Sequence, residues 1–152
     1  MPRLLIIAFF VFSLTSCQDR AFYEKNSNIP DQLWGIGFKP EFQIDVQDNQ
    51  AKYDLFVNLR HTPYYPYSDF SFRINLNRNA LQDSSKHYEL KMADADGRWI
   101  GNSAGNLYER SLLIKENFVF PDTGKYIFTV EHNMIDNPLR GINDVGINLI
   151  KK

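Results

Sequence analysis

Apolar residues recur at every second position along much of this sequence, and this spacing limits the possible folds more than any other feature. In the clearest segment, residues 70–76, the apolar positions are Phe70, Phe72, Ile74 and Leu76. Because successive side chains of a β-strand point to opposite faces, this alternation predicts a strand with one buried face. The same spacing predicts further strands at residues 42–46, 53–60, 87–92, 112–114, 118–120, 126–132 and 145–150. About eight short antiparallel strands favour an all-β fold, a single immunoglobulin-like β-sandwich.

Turn-forming residues separate the predicted strands. The segment Pro121-Asp122-Thr123-Gly124 predicts a tight turn, because proline fixes φ and glycine accepts a positive φ. Residues 61–67 (HTPYYPY) predict a loop, since proline cannot donate the hydrogen bonds of a central strand. We expect residues 82–86 to belong to a connection and residues 102–110 to hold one turn of helix.

The spacing Asp122-x-Gly124-x-Tyr126 resembles the tyrosine corner of immunoglobulin-like sandwiches. In that motif the tyrosine hydroxyl bonds back to the backbone at the edge of the sheet. Antibody domains place a cysteine two residues after the tyrosine, whereas this chain has Phe128. We therefore expect an apolar contact between the sheets in place of a disulfide.

The first 17 residues have the order of a secretory leader, in which Arg3 precedes an apolar run that ends in Leu14-Thr15-Ser16-Cys17. This ending resembles the lipobox of bacterial lipoproteins, in which the cysteine sulfur is acylated and the leader is removed. An ordinary secretory leader is the alternative; the run is too short for a transmembrane helix, which needs about 20 apolar residues. We expect a lipoprotein signal peptide at residues 1–16 and attachment to a lipid bilayer through acylated Cys17.

The remaining domain boundaries follow from composition. Residues 18–30 are mostly polar and end in Pro30, which predicts a lipid anchor and flexible tether over residues 17–33 and a β-sandwich domain over residues 34–152. The charge is close to balanced, with a net value of −1, which argues against a nucleic-acid partner. With the single cysteine acylated, a disulfide, a cysteine metal site and a cysteine nucleophile are excluded.

The segment 91–105 (KMADADGRWIGNSAG) is the most unusual in composition. Asp94 and Asp96 offer oxygen ligands at alternate positions, which raises the possibility of a calcium loop, although an EF-hand needs more ligands in register. The alternative is a bent loop in which these carboxylates cap turns and pair with Arg98, while Trp99 closes one end of the sandwich. Among these alternatives we expect no metal and no cofactor.

Catalysis has little support in the sequence. Asp94 and Asp96 share one loop and so cannot face each other across a cleft, as a pair of hydrolytic carboxylates must. His61, His87 and His132 lack a Gly-x-Ser-x-Gly elbow and the spacing of a zinc site. We therefore expect no catalytic residues and no enzymatic activity.

Aromatic residues in loops give the better functional indication. Exposed aromatic side chains are typical of glycan-binding modules and of protein interfaces, although aromatics can also close the ends of a core. Together with the charged residues of segment 91–105, they make the candidate binding loops Tyr64, Tyr65, Tyr67, Asp94, Asp96, Arg98 and Trp99. Trp34 is also expected in a loop.

Several segments together resemble the gliding-motility lipoprotein GldH family. They are YDLFVNLRHTPYYPYSDF (53–70), YELKMADADGRWIGNSAGNLYE (88–109), KENFVFPDTGKYIFTVEHNM (115–134) and GINDVGINL (141–149). MADADGRWIG followed by FPDTGKY is the specific part, whereas a lipobox fits many lipoproteins. The resemblance runs from the leader to the C-terminus.

This resemblance implies a cell-envelope lipoprotein of gliding bacteria, linked to the type IX secretion and motility machinery and without known enzymatic activity. It implies partners among the other gliding or secretion envelope proteins, and a bacterial membrane, the outer one in preference to the inner. Two other hypotheses stay open: a carbohydrate-binding surface lipoprotein that uses Trp99 or Tyr65, and a metal-dependent or hydrolytic domain that uses Asp94 and Asp96.

Overall fold

The computed structural model describes residues 21–78 and 81–152, and within them the chain is built almost entirely of β-strands. A short 3₁₀ turn occupies Pro30–Gln32. The strands are β1 (Ala21–Asn28), β2 (Leu33–Trp34), β3 (Glu41–Val46), β4 (Tyr53–His61), β5 (Asp69–Arg78), β6 (Leu81–Lys91), β7 (Asn102–Ala104), β8 (Leu107–Phe118), β9 (Gly124–His132), β10 (Leu139–Arg140) and β11 (Ile142–Lys151). None of the described segments forms a helix long and apolar enough to cross a bilayer.

The strands form two main antiparallel sheets. One has five strands in the order β1-β11-β4-β8-β7, the other has four in the order β3-β9-β5-β6, and β10 pairs with β2 in a separate ribbon. Rings from the two sheets meet in the interior, as where Phe118 of β8 packs against Phe128 of β9 at 6.3 Å between centroids. The predicted all-β sandwich is confirmed, and the described residues form eleven strands instead of about eight. Strands β1, β2, β7 and β10 were not predicted, whereas the segments predicted as two strands at 112–114 and 118–120 fall in and beyond one strand, β8, which ends at Phe118.

The core is formed by the apolar faces that the alternation predicts. All of Phe42, Ile44, Val46, Tyr53, Leu55, Val57, Leu59, Phe70, Phe72, Ile74 and Leu76 are buried. Aromatic rings fill much of this space, including Tyr53 against Phe120 and Phe120 against Tyr126. Burial of such side chains stabilises each by roughly 1.5–3 kcal/mol relative to an exposed position, so the core holds the two sheets together without a disulfide.

The predicted tyrosine corner is present. The Tyr126 hydroxyl donates a hydrogen bond to the Asp122 carbonyl oxygen at 2.9 Å and accepts one from the Asp122 amide at 3.2 Å. The Asp122 carboxylate in turn pairs with Arg78 at 2.6 Å. These bonds fasten the turn before β9 to the end of β5.

The predicted tether is wrong from Ala21 onward, because Ala21–Asn28 is strand β1 and pairs along its length with β11. The pairing is close at Gly146, where a Cβ atom would overlap the side chain of Asn26. After its first few residues β1 has little apolar alternation. Such alternation is not needed here, because backbone hydrogen bonds to its one neighbour, β11, hold this edge strand in place. The predicted signal peptide at residues 1–16 and lipid anchor at Cys17 lie outside the described residues.

Three other local expectations are also wrong. Residues 102–110 form the β7–β8 hairpin rather than a turn of helix, with Gly105 at φ 64° in the turn. Residues 82–86 belong to β6, which pairs with β5, and so are not a connection. Trp34 lies in β2 rather than in a loop and is fully buried.

The strand register defines two ends of the sandwich. Ala21 lies beside Ile150, which lies beside Asp54, so the start of β1 marks what we call the proximal end, nearest to residue 20. At the other end, which we call the distal end, Asn28 lies beside Asp144 and His61 beside Tyr108. The loop after His61 and the loop between β6 and β7 therefore both lie at the distal end.

Candidate functional site

The structure brings the two predicted binding loops together at the distal end. Loop 62–68 follows β4, and loop 92–101 follows β6. Tyr65 of the first loop and Trp99 of the second both contact the ring of His61, with centroids 5.6 Å and 4.5 Å away. The sequence predicted the residues of this site but not that the two loops share one aromatic cluster.

Tyr65 lies inside this cluster and is only 2% exposed. Its hydroxyl donates a hydrogen bond to the carbonyl oxygen of Asp69 at 2.7 Å. Burial raises the pKa of the Tyr65 hydroxyl far above its ordinary value, so it stays protonated. The loop that carries it is pressed against Gly141, where a Cβ atom would come within 2.7 Å of the Tyr65 Cα. Tyr65 is therefore a core residue. Its ring is not accessible, so the prediction that this ring contacts a binding partner is wrong.

Trp99 is half-buried and closes the end of the sandwich, as the alternative prediction has it. Its ring lies edge-on to His61 and 6.0 Å from the ring of Tyr108. The backbone of Trp99 also forms an isolated bridge with Ala93, which fixes the loop around it. Part of the ring still faces solvent.

Asp94 caps its own loop. Its Oδ1 accepts hydrogen bonds from the amides of Asp96 and Arg98 at 2.9 and 2.8 Å, and its Oδ2 accepts one from the Arg98 guanidinium at 3.2 Å. The amide of Arg98, above all, holds the pKa of the Asp94 carboxyl below its usual range. Asp96 pairs with the same guanidinium at 2.9 Å. The two carboxylates thus stabilise the turn and form ion pairs with Arg98. No group of three or more metal-ligating side chains occurs in residues 21–78 and 81–152.

The remaining two loop tyrosines differ from each other. Tyr67 is half-buried, with its ring edge-on to Tyr65 at 5.9 Å. A hydrogen bond to the carboxylate of Asp136 raises the pKa of the Tyr67 hydroxyl. The same hydrogen bond joins loop 62–68 to the segment after β9. Tyr64 is 80% exposed, and its ring contacts no other aromatic ring in the described part of the chain. It is the accessible aromatic of this loop.

The structure adds a surface that the sequence did not predict, which we call the distal apolar patch. It consists of exposed apolar side chains on three neighbouring segments: Leu33, Ile36, Phe38, Tyr64 and Ile135. Ile36 and Ile135 are 60% and 90% exposed. The possible signal in the sequence was weak, namely isolated apolar residues outside any alternating run, such as Ile36 between two glycines.

Hydrogen bonds hold the segments of this patch in place. The amide of Ile36 donates to the side-chain oxygen of Asn137 at 3.0 Å, and the indole of Trp34 donates to the carbonyl of Phe38 at 2.8 Å. The amide of Thr62 donates to the carbonyl of Gly141 at 2.8 Å, which brings the Tyr64 loop alongside. The patch therefore presents its apolar side chains from a backbone that is already ordered.

The three histidines do not form a hydrolytic site. His61 and His132 are buried, and each bonds a backbone carbonyl, that of Thr62 at 2.9 Å and that of Trp34 at 3.0 Å. Burial lowers the pKa of both rings. On the surface, Nε2 of His87 lies 3.2 Å from the Ser71 hydroxyl and 3.9 Å from a Glu89 oxygen. Because the hydroxyl and the carboxylate approach the same nitrogen, this arrangement lacks the relay geometry of a triad.

Comparison with known proteins identifies the relatives of this chain. The model of the family described as GldH lipoprotein matches residues 21–149. The gliding motility lipoprotein GldH homolog of Christiangramia forsetii is 29% identical over 153 residues, covering 96% of this chain and 93% of the relative. The gliding motility lipoprotein GldH of Flavobacterium johnsoniae is 27% identical over 156 residues, covering 98% and 94%. No solved structure matches the chain significantly.

Proposed function

We propose a function from one premise: the chain belongs to the GldH lipoprotein family. We infer that it is a lipid-anchored protein of the cell envelope that gliding motility requires. It acts by binding another envelope protein of the gliding or type IX secretion machinery and catalyses no reaction. Its anchor is acylated Cys17, in the outer membrane in preference to the inner.

The observation that carries this proposal is the separation of the two ends of the domain. Only three residues, 18–20, stand between Cys17 and strand β1, so the lipid holds the proximal end close to the bilayer. The distal apolar patch lies at the opposite end and points away from the membrane. Three residues of chain span at most about 11 Å, which leaves the domain little freedom to turn this patch toward the lipid.

The character of the patch suits a protein partner. Exposed apolar side chains grouped on one surface are typical of protein–protein contacts, and a tyrosine is a frequent anchor in them. Charged residues adjoin the group: Asp136 follows Ile135 in the chain, and Arg140 pairs with Leu33. A polar rim around an apolar centre is the usual composition of such an interface.

The carbohydrate-binding alternative has less support. It relied on Trp99 or Tyr65 as a stacking platform, but Tyr65 is buried and the ring of Trp99 packs against His61 in the core cluster. Sugar stacking requires an open aromatic face, and among the predicted aromatics of the distal loops Tyr64 is the one with a largely exposed side chain.

The test is a gliding assay with charged substitutions at each end of the domain. Ile36→Asp and Ile135→Asp are introduced together into the chromosomal gene of the native bacterium. Val119→Asp is the matched control, because Val119 is also exposed, at 43%, but lies between β8 and β9 at the proximal end. The amount of protein in the envelope and its melting temperature are measured for each strain.

We expect the double variant to accumulate normally and to stop single-cell gliding, while Val119→Asp leaves gliding unchanged. The cause would be the loss of apolar contact with the partner, because an unchanged melting temperature excludes loss of the fold. Normal gliding in the double variant would overturn the assignment of the distal apolar patch. A wild-type strain that does not glide would overturn the motility function itself.

A further inference from the structure

A groove opens along one side of the sandwich, between the two sheets and away from the distal end. Its volume is about 180 Å³. Its floor is apolar and is contributed by both sheets: Leu55, Ile74, Leu76, Ile114, Phe118 and Phe128. The distal apolar patch shares none of these residues, so the groove is a separate feature of the molecule.

The groove lies between two strands that pair with no further described strand on their outer edges over this length. Strand β6 is the last strand of the four-stranded sheet. On the opposite side, β7 pairs with β8 only at residues 107–109, and the groove is lined farther along β8, at Ile114, Lys115 and Phe118. The sandwich is therefore open here, and the apolar floor can be reached from solvent.

The rim of the groove is polar and positively charged. Ser84 and Lys86 line it from β6, and Lys115 lines it from β8. The Lys115 ammonium lies 5.4 Å from the centroid of the Phe118 ring, at the border between the rim and the floor. Among the described residues that line the groove, none carries a carboxylate. A cleft of this composition matches a molecule that has an apolar body and an anionic end.

We propose that this groove binds the chain of a single-chain carboxylate, a medium-chain fatty acid, with its head group between Lys86 and Lys115. The volume sets the size of the chain, because an apolar cavity of about 150 Å³ accommodates benzene, which has six carbons. The groove thus holds on the order of six to eight carbons. It is too small for the two long chains of a bilayer phospholipid, so the ligand is a free single-chain acid.

The test uses the full lipidated chain in a sterol-based detergent, which has no flexible acyl chain to occupy the groove. The probe is octanoate that carries a photoactivatable diazirine near its methyl end. After irradiation, the labelled peptides are mapped by mass spectrometry. Unlabelled octanoate, octanol, octyltrimethylammonium and butyrate are compared as competitors.

We expect saturable labelling within residues 74–88 and 114–128. Octanoate should compete at least tenfold better than octanol, which lacks the charge, and better than butyrate, which lacks the chain. Octyltrimethylammonium should not compete, because its head group repels the two lysines. Labelling that is spread over the surface, or equal competition by octanol and octanoate, would overturn the proposal.

Two variants test the floor and the rim of the groove separately. Ile114→Trp fills the groove from its half-buried edge, and Lys86→Glu with Lys115→Glu reverses the charge of the rim. The matched control is Lys25→Glu on β1, a strand that contributes nothing to the groove. Each rim and floor variant should reduce labelling at least tenfold at an unchanged melting temperature. If Ile114→Trp does not fold, the charge-reversal variant decides, and undiminished labelling in it would contradict the proposal.

Discussion

The ring of Trp99 meets the ring of His61 edge to face, with centroids 4.5 Å apart, and this contact closes the distal end of the sandwich. Trp99 comes from loop 92–101, and His61 is the last residue of β4. The contact therefore connects the loop after β6, an edge strand of the four-stranded sheet, to β4, the central strand of the five-stranded sheet. It gives Trp99 a structural role in the fold.

Trp99→Ala should reduce the free energy of unfolding by about 2–4 kcal/mol. Removal of a fully buried tryptophan typically costs about 3–5 kcal/mol, and Trp99 is half-buried. Urea denaturation followed by circular dichroism measures the change. Tyr64→Ala is the control in the adjacent loop, and it should stay within about 0.5 kcal/mol of the wild type because its side chain is exposed. Equal losses in the two variants would show that Trp99 does not close the core.

The buried histidines should make the fold sensitive to mild acid. Burial lowers the pKa of His61 and of His132 in the folded state, while in the unfolded chain each titrates near its ordinary value of about 6.5. The unfolded state therefore binds more protons below this pH, and stability is lost as the pH falls. The slope is at most about 1.4 kcal/mol per pH unit for each ring.

Urea denaturation at pH 7.5, 6.5 and 5.5 measures this effect. Carboxyl groups with lowered pKa values, such as those of Asp54 and Asp94, titrate below this window and do not contribute to it. A His61→Phe variant that folds should show a shallower pH dependence than the wild type. A flat wild-type profile would exclude the mechanism, and so would an unchanged slope in a folded His61→Phe variant.

Gly146→Ala should detach β1 from β11. A Cβ atom at this position would overlap Asn26 and the carbonyl of Lys25, so the edge strand must move outward. Hydrogen–deuterium exchange of residues 21–28 should rise at least tenfold while that of β4 and β5 changes little. Gly37→Ala is the control, because a Cβ atom there has open space around it. Unchanged exchange in Gly146→Ala would contradict the role given to β1.

Cys17→Ser should abolish lipid attachment. The hydroxyl of serine replaces the thiol that acylation requires, so the leader should also stay uncleaved. Metabolic labelling with palmitate and mass measurement of the N-terminal peptide follow both events. The wild type should carry acyl chains on Cys17, and a labelled Cys17→Ser protein would disprove the assignment.

The sequence predicted the sandwich because alternation is a local property of a strand. The buried faces of β4 and β5 can be predicted from the residues of each strand alone. The Asp122–Tyr126 corner can be predicted in the same way, because its two residues are only four positions apart. Strand β1 escaped prediction because its place depends on β11, more than a hundred residues away, and its polar residues give no alternation. The β7–β8 hairpin was missed because β7 has only three residues, which stand between Gly101 and Gly105 and show no apolar alternation.

The candidate site was predicted in part for the same reason. Asp94, Asp96 and Arg98 are neighbours in the chain, so their capping and pairing could be foreseen as one alternative. The burial of Tyr65 depends on Gly141 and on the opposite loop, and neither relation is visible locally. The distal apolar patch depends on the contact between Ile36 and Asn137, which the spacing of residues cannot show.

The central claim, that the distal end binds an envelope protein of the motility machinery, is tested most directly by photo-crosslinking in living cells. A photoreactive amino acid replaces Ile135 in one strain and Val119 in another, and crosslinked products are identified from the envelope fraction. We predict that position 135 yields a discrete product with a protein required for gliding and that position 119 does not. Identical products at both positions, or none at position 135, would contradict the account.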